Sequence, residues 1–351
     1  MGNLLVLKQP KQVGYEEYEE RTLKCNEVRI QTLYTGISAG TELTSYRGTS
    51  PFFSKKWDVN SRIFEKEIET SWSYPLKQWG YEEVGEVVEL GTDVESVEIG
   101  DVIFGTWGHK STHIAEESFA RDHKLHKELD PICGIFSHIG SIGLNAILDA
   151  DIHVSETVAV FGQGVPGQIV TQLAKLNGAK VIAVDLDDSR LAVAKKFGAD
   201  IIINSKKCDA SKKIKEITKG LGADVAIEIS GSSRALHEAI RSVAYSARVV
   251  ASGFLQGEPK GLFLGEEFHH NRINLVCSQI SGVNPSLSNR WNRLRLNHTV
   301  MDLQKAGKLD LKGLITHVIP FNEAVKAYET LDIGSEEVLQ MVLSLTSEKG
   351  R

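Results

Sequence analysis

The chain has 351 residues, is 41% hydrophobic and 25% charged, and carries a net charge of -6. This is ordinary globular composition, long enough for two domains. The acidic balance speaks against a nucleic-acid partner, which selects concentrated basic surface. The densest basic run, Asn289 to His298, holds three Arg and reads as a helix face. No run of about 18 apolar residues marks a membrane span, and the N-terminal apolar run is too short for a signal peptide. Four separated cysteines, Cys25, Cys133, Cys208 and Cys277, fit neither a disulfide framework nor a zinc ribbon. A soluble cytoplasmic protein without membrane or nucleic-acid partners is expected.

The first part of the chain is β-rich. "NLLVL", "EVRIQTLYTGI", "EEVGEVVELG" and "DVIFGTW" are short strand-like runs broken by glycines. From Val84 the third run alternates like a half-buried strand, entered through Tyr81, Glu82 and Glu83. Between Thr44 and Lys77 the sequence is aromatic, charged and aperiodic, which predicts a lid or pocket wall. No long helical pattern precedes Phe136. After Ser155 strands alternate with helices: "ETVAVFG", "PGQIVTQLAKLNG", "AKVIAVD", "SRLAVAKKFG", "ADIIIN", "ASKKIKEITKG", "ADVAIEISG", "SRALHEAIRSV" and "ARVVASGF". Such alternation predicts βαβ units and a parallel sheet, hence an α/β fold. The tail offers a helix ending at Gly307, a strand "LITHVIPF", a helix "NEAVKAYETLD" and an apolar strand "VLQMVLSL" that suits the first domain's sheet.

"VAVFGQGVPGQIV" carries Gly162, Gly164 and Gly167 as G-x-G-x-x-G, between a buried strand and a helix. Asp185 ends the next strand, 18 residues after Gly167. That context predicts a dinucleotide site. Gly162 permits the tight turn, Gly164 the approach of backbone to pyrophosphate, and Gly167 close packing of helix on strand. Gln163 and Val165 complete the loop, and Pro166 loses no needed N–H in the first turn. The free amides and the helix dipole favour the anionic pyrophosphate. Asp185 selects the free ribose hydroxyls of NAD and repels a 2′-phosphate, whereas Arg190, five residues on, is a residue type that accepts one. Ser230 and Gly253, in "ISG" and "ASGF", end later strands on the ligand side of such a sheet, where plain turn chemistry is an equal reading.

These features together resemble the medium-chain dehydrogenase/reductase superfamily, the zinc alcohol dehydrogenase-like proteins. "GQGVPGQIVTQLAKLNGAKVIAVDLDDSRLAVAKKFGAD" is similar to the cofactor half, "LQKAGKLDLKGLITHVIPFNEAVKAYETL" to the C-terminal part, and "GDVIFGTWG" to the "GDRV" strand. The resemblance implies a GroES-like β-rich catalytic domain, residues 1–127 and 288–351, plus a Rossmann doubly wound parallel-sheet domain, residues 128–287. It also implies a homodimer or homotetramer.

The metal positions depart from that pattern. Ser38 in "GISAGTE" stands where zinc members carry Cys, Tyr81 in "GYE" replaces His while Glu82 keeps the Glu, and His138 falls at the third ligand position. The four-cysteine structural-zinc lobe is absent. Catalytic zinc takes three ligands from thiolate, imidazole and carboxylate, so no metal is expected at this site. A rearranged site on His109 or His113 is the alternative. Without a metal, Tyr81 and His138 are expected to flank the substrate oxygen, with Glu82 orienting one of them and Ser38 or Thr41 relaying the proton. The competing reading is that these side chains only fill the vacated volume.

"GTE", "GYE" and "FHHNR" resemble a branch that acts on cyclitols, sugars and related secondary alcohols, and a bacteriochlorophyllide dehydrogenase branch shares the first two. His269 and His270 in the last segment are expected to cap a surface loop, and Lys110 and Arg47 to be solvated. The expected activity is hydride transfer between NAD and a polyol or sugar-like secondary alcohol. A metal-free quinone or enone reductase, which prefers NADPH, and a non-catalytic NAD-binding regulator are the alternatives.

Overall fold

The computed structural model describes residues 1–66, 70–334 and 338–346. The chain divides into one unit of Met1–His138 with Ile315–Arg351 and a second of Ile139–Leu314.

The first unit opens with an antiparallel pair, β1 (Gly2–Gln9) and β2 (Gln12–Tyr18). The long strand β3 (Glu27–Ile37) leads into helix α1 (Ala39–Arg47). A small hairpin follows, β4 (Lys56–Asp58) and β5 (Ile63–Glu65). Strands β6 (Glu83–Leu90), β7 (Val102–Gly105) and β8 (Thr112–Glu116) then precede helices α2 (Glu117–Asp122) and α3 (Phe136–Ala150). The alternation expected in β6 is not what buries it. Val84 and Val87, three residues apart and therefore on opposite faces, are both fully buried, while Val88 is exposed. Val84 packs beside Gly134, and Val87 joins Val28, Ile30, Ile103 and Trp107. A strand covered on both sides draws its acidic opening inward, and Glu82 and Glu83 are buried.

The second unit is a parallel sheet with helical crossovers. Its elements are β9 (Thr157–Phe161), α4 (Val165–Leu176), β10 (Lys180–Asp185), α5 (Asp188–Lys196), β11 (Ile201–Asn204), α6 (Ala210–Ile217), β12 (Ala223–Glu228), α7 (Ser233–Ser242), β13 (Val243–Ala251), β14 (Asn274–Cys277) and α8 (Arg293–Lys305). The strand order is β11-β10-β9-β12-β13-β14, the arrangement of a doubly wound dinucleotide-binding sheet. Side chains capping the helices set the starts: Asp187 accepts from Ser189 and Arg190, Asp209 from Lys212, and Asn292 from Arg295. The core holds Ala159, Phe161, Ile182, Val184, Ile214 and Ile240.

The chain then returns to the first unit through β15 (Ile315–Pro320), α9 (Ala324–Ile333) and β16 (Gln340–Ser344). The apolar tail strand does complete that sheet. β16 pairs antiparallel with β3, Met341 opposite Ile37, and parallel with β15.

Both expected domain boundaries, after residues 127 and 287, lie earlier in the chain than the observed divisions. The Pro131–Ile135 turn packs on β3, β6 and β7, and α8 packs on the body of α3, with Ser141 donating to Asn297 at 2.6 Å. The aperiodic Thr44–Lys77 stretch contains the end of α1, a 3-10 turn at Pro51–Phe53 and the small hairpin. Ring contacts tie it together: Phe53 stacks on Tyr74 at 4.5 Å and Phe52 meets Trp72 at 4.7 Å. Residues 67–69 of that stretch lie outside the described residues. One helical segment, Pro131–Ala150, is long and apolar enough to cross a bilayer, but 78% of its apolar window is buried inside the protein.

Candidate active site

The candidate residues form two groups, one in each unit. In the first, Ser38 follows the end of β3 and caps α1, and its backbone N–H donates to Glu42 Oε1 at 2.9 Å. The Ser38 and Tyr81 hydroxyls hydrogen-bond to each other. Thr41 adds a second hydroxyl to the phenol. His138, in the first turn of α3, meets the Tyr81 ring edge-on, with centroids 4.8 Å apart and planes at 76°. Ser38 and His138 are buried and Tyr81 half-buried. The fold thus gathers Ser38, Thr41, Tyr81 and His138 in one place.

Burial raises the Tyr81 pKa, and the charge of Glu82 adds to it; the Ser38 and Thr41 hydroxyls oppose the shift. Tyr81 is therefore a neutral phenol at ordinary pH, with a proton to donate.

Glu82 does not play the orienting part expected of it. Its Oε2 accepts from Gln340 Nε2 at 3.2 Å and lies over Gly36, where any side chain would collide with it. Its Oε1 is buried without a partner. Burial, then the charges of Glu42 and Glu83, hold its carboxyl well above the ordinary range against the opposing Gln340 bond. A folded-state pKa above the unfolded one contributes stability that is complete below the unfolded value of 4.5 and is lost as pH rises towards the folded value. Glu82→Gln removes that proton requirement. The variant is expected to melt above the wild type at pH 8, by about 2–4 °C per kcal/mol of relief. Near pH 4 the two melting curves should converge, and a constant gap across the pH series would contradict this account.

A second polar network escaped the sequence reading. Glu42 Oε2 accepts from the Tyr328 hydroxyl and from His109 Nε2, the latter at 2.8 Å. His109 Nδ1 faces Thr35 Oγ1 at 2.7 Å, and that hydroxyl donates to Glu83 Oε1 at 3.1 Å. Glu83 Oε2 in turn accepts the Trp107 N–H at 2.6 Å. Every side chain in this chain of bonds is buried. The available signal was Glu42 in "GTE", four residues after the capping serine and placed to reach back to its N–H.

The donor chemistry around Tyr81 does not fit a tetrahedral zinc. Ser38 and Tyr81 offer neutral hydroxyls already bonded to each other, and Glu82 is directed to Gln340. His109 is committed to Glu42 and Thr35. His113 stacks on Trp107 at 5.1 Å, its pKa pushed down to about 4 by burial and then by Lys110. Among the described residues, the one group of three His, Cys, Asp or Glu side chains with metal-binding spacing lies in the other unit.

The second group surrounds the β9–α4 turn. Gly162 has φ +96°, and a side chain there would press on Ser230. A side chain at Gly167 would overlap the Gly162 carbonyl. The space beside Gly164 is open for 4 Å, a cradle that any Cβ would begin to fill. Gly164 caps α4, Val165 and Pro166 open it, and the first-turn amides have no intrahelical partner. Asp185 is held by three backbone N–H groups, from Gln163 at 2.5 Å, Leu186 at 2.7 Å and Asp187 at 3.0 Å. These residues fit a dinucleotide. The Gln163 side chain is a correction: it is fully buried, bonded to Val160 O and Thr171, so it faces away from the loop's open side. Arg190 is half-buried, and its Nε has no partner. Ser230 and Gly253 do lie just beyond β12 and β13, where Ser230 Oγ donates to the buried Glu228 at 2.5 Å.

His269 and His270 are exposed near the 264–268 turn, as a capping role predicts. Arg47 pairs with Asp332 at 2.6 Å, and Lys110 is half-buried rather than solvated.

A family model described as zinc-binding dehydrogenase matches residues 166–294. The chain is 31% identical over 349 residues to a D-guloside 3-dehydrogenase of Shigella flexneri, covering 96% of this chain and 98% of that protein. Its fold is similar to that of an Escherichia coli oxidoreductase/dehydrogenase of unknown specificity, with TM-score 0.79 and 21% identity over 99% of this chain and 100% of the other. The 2R,3R-butanediol dehydrogenase of Bacillus subtilis is equally similar in fold, with TM-score 0.79 and 22% identity over the same shares.

Proposed function

Because the chain belongs to the medium-chain dehydrogenase/reductase superfamily and is an alcohol or polyol dehydrogenase, we propose that it uses NAD to oxidise a secondary hydroxyl of a sugar, glycoside or related polyol, without a catalytic zinc. The observation that carries this reading is the Ser38–Tyr81 hydroxyl pair with His138 on the ring edge, at the positions where the family's zinc ligands are expected. The nearly full-length similarity to a D-guloside 3-dehydrogenase supports the substrate class.

Oxidation of a secondary alcohol moves a hydride off carbon and the hydroxyl proton to a base. When bound, the dinucleotide supplies the hydride acceptor. The open face at Gly164 and the first-turn amides of α4 would hold its pyrophosphate, and Asp185 would accept from the adenosine ribose hydroxyls. Tyr81, kept neutral, donates a hydrogen bond to the substrate oxygen and stabilises the charge that grows there. His138 takes the proton, a role imidazole chemistry suits, and the Ser38 and Thr41 hydroxyls hold the phenol in position. In ketone reduction the same groups return it.

The test is turnover of NAD+ with D-gulosides, other glycosides, alditols and simple secondary alcohols, before and after exhaustive chelation. Turnover of a glycoside or polyol that survives chelation is expected. Retained NAD binding with no turnover on the whole panel would favour a binding regulator, and activity lost to chelator and restored by Zn2+, together with loss of the bound ion in His138→Ala, would overturn the metal-free site.

Cofactor choice has its own readout. Asp185→Asn keeps an acceptor for the backbone N–H groups but removes the charge facing a 2′-phosphate. The ratio of kcat/KM for NADP+ over NAD+ is expected to rise about tenfold, equivalent to about 1.4 kcal/mol. The unpartnered Nε of Arg190 is the feature that favours NADP. An unchanged ratio would take Asp185 out of the discrimination.

A further inference from the structure

A cluster in the second unit has no part in the proposed reaction. His237 lies on α7, and Glu266 and Glu267 lie in the short Leu264–Phe268 turn. One ligand atom from each of the three falls within 4.8 Å of the other two. From this arrangement we propose that His237, Glu266 and Glu267 bind a divalent transition-metal ion that ties α7 to the Leu264–Phe268 turn.

Unused ligand atoms carry the inference. The His237 side chain is only 14% exposed, yet neither ring nitrogen has a protein hydrogen bond. Nδ1 is buried without a partner, and Nε2 stands 4.0 Å from Glu266 Oε2, beyond hydrogen-bond range. Glu267 Oε2 is also buried without a partner. Its other oxygen is 3.4 Å from Arg241 Nε, a weak bond, because Arg241 is drawn to Glu238 at 2.6 Å and Asp209 at 3.2 Å. A buried imidazole and a buried carboxylate oxygen without partners are costly in a folded protein. A cation between the three side chains would take one imidazole nitrogen and one oxygen from each carboxylate as ligands.

One nitrogen and two carboxylate oxygens suit Zn2+, Mn2+ or Co2+. Metal–ligand bonds of about 2.0–2.2 Å place neighbouring ligand atoms about 3–3.5 Å apart, so the side chains close by about 1 Å on binding. Glu266 has the freedom to make that movement, its side chain being 59% exposed. The open side leaves room for water as a further ligand. The cluster shares no residue with Ser38, Thr41, Tyr81 and His138, nor with the Gly162–Gly167 loop and Asp185.

The experiment uses full-length, tag-free protein stripped with chelator, then dialysed to equilibrium against micromolar ZnCl2 and assayed for bound metal, with CoCl2 absorption spectra in parallel. Wild type and His138→Ala are expected to retain about one ion per chain and to melt higher with metal than without. His237→Ala and Glu266→Gln are expected to bind at least about tenfold more weakly and to lose most of the metal-dependent rise in Tm. Should His237→Ala fail to fold, Glu266→Gln, at an exposed side chain, decides alone. The proposal is overturned if wild type takes up no ion, if Glu266→Gln keeps wild-type affinity, or if the ion is lost in His138→Ala instead. The proposed reaction is assayed separately, on the glycoside panel, so either idea can fail alone.

Discussion

Tyr81→Phe is expected to lower kcat by about 10²–10³-fold, the range for loss of one hydrogen-bond donor to a developing oxyanion, while NAD affinity stays unchanged. The substitution keeps the ring that packs edge-on against His138 and deletes only the hydroxyl shared with Ser38. The kinetic effect therefore reports the hydroxyl, not the packing. Because burial and Glu82 keep the phenol protonated, the deficit should be present in both directions across neutral pH. His138→Ala should lower kcat by about 10²–10⁴-fold, and the double variant should lose less than the product of the two, since both act at the same substrate oxygen. Steady-state kinetics in both directions, with cofactor binding followed by fluorescence titration, separates these quantities. Wild-type-like turnover in Tyr81→Phe and in His138→Ala would show that these residues only fill space.

Glu42→Ala is expected to destabilise the protein by about 3–5 kcal/mol, the effect of removing one member of a buried charged pair. Glu42 is only 3% exposed and accepts from the Ser38 N–H, the Tyr328 hydroxyl and His109. Burial alone would pull the His109 pKa down, but the charge and hydrogen bond of Glu42, with the charge of Glu83, reverse it and leave the pKa raised. Such a group contributes stability that is complete below its unfolded value of 6.5 and is lost as pH rises through the folded one. Without Glu42 the largest remaining influence is burial, so protonated His109 becomes a liability. The deficit of Glu42→Ala should therefore be largest at pH 5.5–6 and shrink towards pH 9. Urea unfolding followed by fluorescence is suitable, because Trp79 stacks on Tyr328 at 4.6 Å. A deficit that grows with pH would reverse the sign assigned to His109.

Legibility in the sequence followed the distance over which each feature is encoded. The β9–α4 turn and Asp185 were readable because one strand, one turn and the next strand specify them within a single βαβ unit. The Ser38–Tyr81–His138 grouping came only through family resemblance, since three separate segments supply it. Resemblance gave the places but not the bonds, and Glu82 turned to Gln340, whose strand lies near the other end of the sequence. The network of Glu42, His109, Thr35, Glu83 and Tyr328 joins β3, α1, β6, α9 and the loop before β8, and no local period announces it. The boundary near residue 138 was missed because helical sequence runs straight through it without a linker. The Thr44–Lys77 stretch could be read only as an aperiodic lid or pocket wall because short elements held by aromatic contacts leave no repeat in the chain.

The position of β16 bears on how the protein is made. On the ribosome, the second unit is complete in sequence at Leu314, so it can fold while β15, α9 and β16 are still inside the exit tunnel. The first unit must wait. Leu5, Leu7, Ile37, Tyr46 and Trp79 precede the second unit in the chain, yet their partners Tyr328, Leu331, Met341 and Leu343 follow it. Throughout that interval an apolar face and one edge of β3 stay uncovered. The nascent protein is most exposed to aggregation, and most in need of a chaperone, after its cofactor domain has formed and before β16 is released.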